Sequence, residues 1–189
     1  MSTKHLEIET KYRADEMSFT EFEAFINNLN PTQTVRASGY DYFYASKDSP
    51  GSFARHRVGP EFNQLTFKRK TTGNNNYIRT EHNISLDMGV KTEQVAALMK
   101  EFGYEYNTTI FKNVFVYNFD KYNFVYYICY TSDLKELGRF VEIEMSEEYP
   151  WESESVAWTH LEALERDLKP LGITPQHRMR KSLFEMFKK

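Results

Sequence analysis

At 189 residues the chain is long enough for one domain with a sizeable core, and we predict a single domain over 1–189. The formal net charge of -3 excludes a general basic field for nucleic acid, so basic residues matter only where they converge. One cysteine, Cys129, excludes an internal disulfide and a cysteine-rich zinc site. No stretch approaches about 18 consecutive apolar residues, so we expect a cytoplasmic protein with no membrane partner.

The first predicted element is a strand over 6–13, in which apolar or neutral residues alternate with charged ones. Its charged face carries two anions followed by two cations: Glu7, Glu9, Lys11 and Arg13. A lone charged face of this kind is usually only a solvated surface. The same Glu-x-Glu spacing returns in a predicted strand at 140–145, as Glu142 and Glu144, and this recurrence favours a functional role.

Between these two strands the pattern predicts further strands and helices. A capping box at Ser18 and Glu21 begins a helix that ends at Asn30-Pro31. Strands are predicted at 38–44, 53–58, 64–70 and 77–84, with a hairpin loop at 72–76. A second helix, capped by Thr92 and ended by Gly103, is predicted to turn Val95, Leu98, Met99 and Phe102 inward. Strands at 109–119 and 122–130, a helix at 155–169 and a basic, amphipathic tail complete the chain.

About eight antiparallel strands with one charged face can be arranged in two ways. The charged face either points to solvent over a conventional core, or lines the inside of a closed barrel whose outside is covered by helices. Charged pairs at two-residue spacing on several strands favour the second arrangement, an α+β fold with an eight-stranded antiparallel tunnel. Such a barrel has room for one small ligand.

The charges predicted to face the inside of this barrel do not balance. The cations are Lys11, Arg13, Arg55, Arg57, Lys68, Lys70, Arg79 and Lys112, and the anions are Glu7, Glu9, Glu81, Glu142 and Glu144. Burying this excess of cations requires a compensating anion, because an unpaired buried charge costs several kcal/mol. A polyphosphate fits, since Arg and Lys bind phosphate oxygens and clustered carboxylates bind Mg²⁺ or Mn²⁺.

Several short motifs, taken in chain order, resemble those of the CYTH or triphosphate tunnel metalloenzyme superfamily. Glu7-Ile8-Glu9-Thr10-Lys11 is similar to the family's Glu-x-Glu-x-Lys, and Asp41-Tyr42-Phe43-Tyr44 to its Asp-x-Tyr-Tyr. The Arg-x-Arg, Thr-x-Lys and Arg-x-Glu motifs are matched at 55–57, 66–68 and 79–81, and the closing motifs at 137–144 and 181–185. The resemblance covers nearly the whole chain and implies class IV adenylyl cyclases, thiamine triphosphatases and inorganic triphosphatases as relatives.

The resemblance implies roles for individual side chains in an eight-stranded tunnel that binds a triphosphate along its axis. It assigns the divalent metal, Mg²⁺ or Mn²⁺, to Glu7, Glu9, Glu142 and Glu144. It assigns phosphate binding to Arg55, Arg57, Lys68, Lys70, Arg79 and Lys112, and catalytic roles to Lys11, Glu9 and Glu81. Two positions depart from the family pattern: Val114 stands where an arginine is common, and Asn83 where many triphosphatases have an acid.

Three functions follow from this resemblance. The first is a metal-dependent hydrolase of inorganic, nucleoside or thiamine triphosphate; the second is an adenylyl cyclase that makes cyclic AMP and pyrophosphate from ATP. The third is a nucleotide-binding sink without catalysis. Nucleic acid is expected as a partner only through an RNA 5′-triphosphate end. An apolar exterior on the Tyr-rich strands would allow a homodimer, and the tail at 178–181 is predicted to close one mouth of the tunnel.

Overall fold

The computed structural model describes residues 3–46, 48, 52–69, 78–146 and 149–188, and within these it leaves aside the side chains at 3–7, 69 and 78–80. The strands are β1 (Thr3–Arg13), β2 (Gln33–Ser46), β3 (Phe53–Val58), β4 (Asn63–Arg69), β5 (Ile78–Ser85), β6 (Tyr104–Asn118), β7 (Tyr122–Tyr130) and β8 (Glu136–Met145). The α-helices are α1 (Phe19–Asn27), α2 (Thr92–Glu101), α3 (Glu154–Asp167) and α4 (Leu183–Phe187), with 3₁₀ turns at Lys169–Leu171 and Pro175–His177.

All eight strands pair antiparallel in one curled sheet. The strand order is β1-β5-β4-β3-β2-β6-β7-β8, and it returns to β1. The two seams at β1 lie in different halves of that strand: residues 3–8 pair with β5, and residues 9–13 pair with β8. The predicted α+β fold with eight antiparallel strands is therefore confirmed, and β1 is the strand that brings the two ends of the sheet together.

The outer face of the sheet carries apolar side chains that helices cover. Helices α1 and α3 pack on β1, β6, β7 and β8 in a cluster that contains Tyr12, Phe22, Tyr117, Phe124 and Leu161. Helix α1 begins where predicted, because the predicted capping box forms. Ser18 Oγ accepts a hydrogen bond from the backbone N–H of Glu21 at 3.2 Å, and Glu21 Oε2 accepts one from the backbone N–H of Ser18. This helix covers the Tyr-rich face that had suggested a homodimer, and the homodimer stays a prediction.

Helix α2 covers a smaller part of the outer face, where Val95 and Met99 pack against β2, β3 and β4. Two details of its prediction are wrong. Leu98 and Phe102 are 48% and 66% exposed, because the helix contacts the sheet through a narrow stripe only. Thr92 is its first helical residue, and the N-cap position belongs to Lys91, whose N–H donates to Gln94 Oε1 at 2.9 Å.

The inner face of the sheet changes character along the strands. At one end, Phe43, Phe53 and Phe140 form an apolar cluster with Leu183 and Phe184 of α4. Helix α4 covers this end, and Met179 of the segment 178–181 that was predicted to close the tunnel packs against the same cluster. Arg178 is directed to α3 instead, where its guanidinium binds both carboxylate oxygens of Glu165 at 2.7 and 2.6 Å. Among the described residues no helix is long and apolar enough to cross a membrane.

Candidate functional site

A polar cavity of about 240 Å³ lies inside the sheet, between α4 and the middle of the strands. Because side chains alternate along a strand, inward positions recur every second residue, and charged residues fill them on six strands. The charged residues that line it are Glu9, Lys11, Arg55, Arg57, Lys68, Glu81, Lys112, Glu142 and Glu144. Ser182 and Leu183 close one side, so the C-terminal segment is part of the cavity wall.

Three carboxylates converge in this cavity at the seam between β1 and β8. Glu9 lies opposite Glu144 in the register, and Lys11 lies opposite Glu142. One oxygen from each of Glu9, Glu142 and Glu144 lies within 4.8 Å of the others, as a single metal ion requires. Oxygen donors of this kind suit hard divalent cations such as Mg²⁺ and Mn²⁺. The structure thus brings together three of the four glutamates predicted to bind the metal, and their role as metal ligands stays a prediction.

Lys11 lies among these carboxylates. Its Nζ is 2.6 Å from Glu142 Oε1 and 3.9 Å from Glu9 Oε1. Burial disfavours its charged form, but Glu142 and Glu9 more than offset this and raise its pKa. Burial also disfavours the charged form of Glu142, which by itself would raise the pKa of this carboxyl. The charge of Lys11 outweighs burial and lowers the pKa of Glu142 to about 2. Tyr127 completes the group, because its hydroxyl donates to Glu142 Oε1 at 2.9 Å.

A second charged group forms where β3, β4 and β5 pair. Lys68 lies opposite Glu81 in the register, and its Nζ is 2.6 Å from Glu81 Oε2. Arg55 approaches the same carboxylate less closely, with Nη2 3.6 Å from Glu81 Oε1. The Arg55 Nε is buried and has no hydrogen-bond partner among the side chains that the structure describes. A buried donor of this kind can bind an anion in the cavity.

A third charged group is built around Asp41 on β2, which is only 1% exposed. Arg57 Nε donates to Asp41 Oδ1 at 2.9 Å, and Lys112 Nζ lies 2.7 Å from Asp41 Oδ2. Burial alone would raise the pKa of Asp41, but the two cations outweigh it and hold that pKa well below its usual range. The carboxylate thereby fixes two cations at the edge of the cavity. Lys112 also lies 5.2 Å from the centroid of the Tyr127 ring.

The predicted site residues fall into three sets. Those brought together in the cavity are Lys11, Glu9, Glu81, Arg55, Arg57, Lys68, Lys112, Glu142 and Glu144. Glu7 and Arg79 lie opposite each other in the register of β1 and β5, but their side chains, and Lys70 as a whole, lie outside what is described. Their roles stay predictions. Arg13 lies at the end of β1, is 52% exposed and pairs with Asp15, so its predicted place inside the tunnel is wrong.

The predicted excess of positive charge is also absent from the described side chains. Lys11, Arg55, Arg57, Lys68 and Lys112 face an equal number of carboxylates: Glu9, Asp41, Glu81, Glu142 and Glu144. The prediction counts Arg13 as inward and leaves out Asp41, and it also counts Glu7, Lys70 and Arg79, whose side chains lie outside the described part of the chain. Asp41 was noticed only as part of an aromatic motif, although a lone acid in an apolar strand, on the same face as Phe43, is itself a signal. Tyr127 is not among the predicted site residues, although alternation along β7 places it on the opposite face from Tyr126 and on the same face as Cys129, which is a signal that could have found it.

A second cavity, of about 540 Å³, adjoins the polar one. The two share Arg57, Gln64 and Lys112 as lining residues. The rest of its wall is mainly apolar and includes Phe62, Leu86, Met88, Val114 and Val116. No sequence pattern indicates this cavity, because it is formed by residues from two loops and five strands.

Comparison with solved structures identifies the fold. The PH1012 protein of Pyrococcus horikoshii superposes with a TM-score of 0.70 and 18% identity, over 95% of this chain and 98% of that one. A Vibrio parahaemolyticus protein to which adenylate cyclase activity is ascribed gives a TM-score of 0.66 at 14% identity, over 96% and 97% of the two chains. A chain of the Schizosaccharomyces pombe Mediator head module gives 0.60 at 14% identity, over 90% and 96%.

These likenesses show that the chain shares its fold with these proteins, and the resemblance to the CYTH superfamily rests on the motifs. At 14–20% identity they carry no activity, and the presence of a Mediator chain among them illustrates that one fold serves different proteins. No family model matches the sequence. No curated protein matches it either. Function has to be argued from the site.

Proposed function

We propose that the protein is a metal-dependent hydrolase of a triphosphate bound in a tunnel formed by the eight strands. The observation that carries this proposal is the presence, in one cavity, of three converging carboxylates beside five cations. Carboxylates that converge within 4.8 Å suit a divalent cation, whereas Arg and Lys side chains suit phosphate oxygens. Few small ligands other than a metal-bound polyphosphate require both sets at once.

The donor set fits Mg²⁺ or Mn²⁺, held by Glu9, Glu142 and Glu144, with Glu7 as a further predicted ligand. A cation bound there supplies a Lewis acid that polarises phosphoryl oxygens and neutralises part of their charge. Tyr127 holds the Glu142 carboxylate in place through its 2.9 Å hydrogen bond. Because the tyrosine is buried, this orientation needs no ordered water.

The phosphate chain is assigned to the cations on the opposite strands. Arg55 offers its Nε, which has no hydrogen-bond partner within the described part of the chain, while Arg57 and Lys112 are held in position by Asp41. Lys68 is fixed by Glu81, which we infer acts on catalysis by positioning this lysine. Predicted contacts from Lys70 and Arg79 would extend the same surface.

In the proposed reaction, a water oxygen attacks the terminal phosphorus in line with the bridging oxygen that leaves. The bond to the bridging oxygen breaks, the electron pair goes to the departing diphosphate, and the attacking water releases a proton to the solvent, so that the products are diphosphate and orthophosphate. The chain's cations stabilise the charge that develops on the transferred phosphoryl group and on the leaving oxygen. Lys11 lies beside the carboxylates and is assigned to the bridging oxygen.

An adenylyl cyclase is the second candidate, favoured by one observation. Cyclisation requires a pocket for adenine and ribose next to the triphosphate, and the 540 Å³ cavity lies in that position. In that reaction the ribose 3′ oxygen attacks the α-phosphorus and pyrophosphate leaves. The two reactions need the same phosphate contacts, so the residues of the cavity walls do not distinguish hydrolysis from cyclisation. Identifying the reaction products distinguishes them.

The test is incubation of the full chain with tripolyphosphate, ATP, GTP or thiamine triphosphate, each with Mg²⁺ or Mn²⁺. Release of orthophosphate supports the hydrolase, whereas pyrophosphate with cyclic AMP overturns it in favour of the cyclase. Binding without any product overturns both and leaves a nucleotide sink. The matched control is Glu144→Gln, which removes one ligand of the carboxylate group without changing side-chain size and should abolish the metal-dependent product.

A further inference from the structure

The C-terminal segment pairs with β1 at the position of Lys11. Among the described residues, the pairing of β1 with β5 ends at Ile8 and its pairing with β8 begins at Glu9, so the two strands lie along different halves of β1. In the second half, the Met179 N–H donates to the Lys11 carbonyl at 2.7 Å. The backbone of Lys11 is therefore held between β8 on one side and the C-terminal segment on the other.

A buried ion pair on the outer face of the sheet fixes this contact. Arg178, which lies opposite Tyr12 in an antiparallel bridge, binds both carboxylate oxygens of Glu165 at 2.7 and 2.6 Å. The Tyr12 hydroxyl donates to the same carboxylate at 2.7 Å. Glu165 is only 1% exposed, and the Arg178 guanidinium also lies 5.1 Å from the centroid of the Trp158 ring. One carboxylate of α3 thus joins the C-terminal segment to β1.

The chemistry of this junction fixes the position of β1 more closely than apolar packing would. Apolar groups of similar volume often replace a buried ion pair without loss of stability, whereas a bidentate pair of arginine and carboxylate sets both distance and direction. Tyr12 is the chain neighbour of Lys11, and alternation along a strand places their side chains on opposite faces. The contacts that hold Tyr12 outside therefore also set where the Lys11 side chain enters the polar cavity.

We infer that Arg178 and Glu165 are positioning residues for Lys11, although neither of them lines the polar cavity. The inference rests on the proposed function, which assigns Lys11 to the bridging oxygen of the triphosphate. A displacement of about 1 Å in a catalytic group can lower a rate roughly 100-fold, so the placement of β1 at this residue matters. Helix α4 does not depend on the ion pair, because Leu183 and Phe184 are buried in an apolar cluster of their own.

The experiment observes the ammonium groups of the lysines directly, by ¹H–¹⁵N NMR of the full chain labelled with ¹⁵N-lysine. Lys11, Lys68 and Lys112 line the polar cavity, and their Nζ atoms lie 2.6, 2.6 and 2.7 Å from carboxylate oxygens, so we expect a slowly exchanging signal from each. Replacing each lysine in turn by glutamine assigns its signal. Arg178→Ala should shift or broaden the Lys11 signal and leave the signals of Lys68 and Lys112 in place.

Arg36→Ala is the matched control. Arg36 pairs with Glu23 at 2.9 Å and lies over the Phe19 ring, which are the same kinds of contact on another part of the outer face. This variant should move none of the lysine signals. Arg178→Lys provides a second test should Arg178→Ala fail to fold, because it keeps the charge but lacks the planar fork that binds both oxygens of the carboxylate. It should shift the Lys11 signal in the same direction.

A Lys11 signal that stays in place in the Arg178 variants overturns the inference. Equal movement of all the cavity lysine signals overturns it too, because the ion pair would then act on the fold as a whole. A wild-type chain that releases no phosphate from any triphosphate overturns the proposed hydrolase, and the ammonium signals still decide the inference.

Calorimetry with tripolyphosphate and Mg²⁺ provides a second measurement, in the form of a double-mutant cycle. Arg178→Ala should weaken binding roughly tenfold in the wild-type chain and much less in the Lys11→Gln background, since the two residues act through one contact. The same loss in both backgrounds overturns the inference, because Arg178 would then act independently of Lys11.

Discussion

Lys11 occupies the position from which it can compete with a metal ion for the same carboxylates. Its Nζ lies 2.6 Å from Glu142 Oε1 and 3.9 Å from Glu9, and both glutamates belong to the group that converges within 4.8 Å. An ammonium group and a divalent cation repel each other strongly at such distances in a buried site. Metal binding therefore requires that Lys11 leave Glu142, and the lysine that leaves is then available for a phosphate oxygen.

The substitution Lys11→Gln tests this competition. A charge-assisted hydrogen bond contributes about 1.5–3 kcal/mol, which is the free energy that metal binding must overcome in the wild-type chain. Removing that cost should tighten Mg²⁺ or Mn²⁺ binding, without triphosphate, by roughly 10- to 100-fold. Phosphate release should fall steeply at the same time, because the variant has lost a cation beside the reacting oxygen.

Calorimetry with Mn²⁺, or the electron paramagnetic resonance signal of free Mn²⁺, measures the affinity directly. Lys68→Gln is the control, since Lys68 pairs with Glu81 and lies outside the group of three carboxylates. That variant should keep the wild-type metal affinity while losing activity. Equal or weaker Mn²⁺ binding by Lys11→Gln would show that the two cations do not compete, and the reasoning would be wrong.

Three further predictions concern the buried charges. Asp41→Asn leaves Arg57 and Lys112 without their counter-ion, so urea unfolding should show a loss of about 3–5 kcal/mol; wild-type stability would refute this. Tripolyphosphate should restore part of that loss, because its anion replaces the missing carboxylate. Tyr127→Phe removes the donor to Glu142 and should cost about 1–3 kcal/mol, with the acid limb of the activity profile moving to higher pH; an unmoved limb counts against it. Burial raises the pKa of Glu142, but the ion-paired lysine lowers it more strongly. The pKa of Glu142 therefore falls from 4.5 to about 2. Its contribution to stability should therefore be complete above pH 4.5 and be lost as the pH falls toward 2, whereas Glu142→Gln should lack that part of the acid transition.

The strand pattern could be predicted because alternation is a local property of the chain. The predicted bounds of β3 at 53–58 and β7 at 122–130 agree with the structure, and the capping box of α1 marks its first turn. The Glu-x-Glu spacing on β1 and β8 predicted which of these side chains share a face of their strand, because inward positions recur at every second residue, and the prediction of a shared metal site needed the family resemblance as well. Helix packing was harder: the pattern of α2 does not reveal that Leu98 lies outside the contact with the sheet.

The pairing of charges could not be predicted, because it depends on the register between strands distant in sequence. Asp41 meets Lys112 only because β2 pairs with β6 across about 70 residues of chain, which the strand pattern alone leaves open. The apolar cluster at α4 could not be predicted for the same reason. Leu183 contacts the strands only because the C-terminal segment folds back onto the sheet, and the local sequence pattern does not specify this contact. The cavity of about 540 Å³ depends in addition on the loop that contributes Phe62 to its wall.

The balance of charge inside the sheet bears on how a substrate can enter. Each of the cations that line the polar cavity lies within 3.6 Å of a carboxylate, so their described surroundings are neutral before any ligand binds. A triphosphate alone would bring several negative charges against these carboxylates. Glu9, Glu142 and Glu144 could hold a divalent cation, which would reduce that repulsion and leave Lys11 available for a phosphate oxygen. Metal and triphosphate should therefore bind cooperatively, each strengthening the other by the same factor.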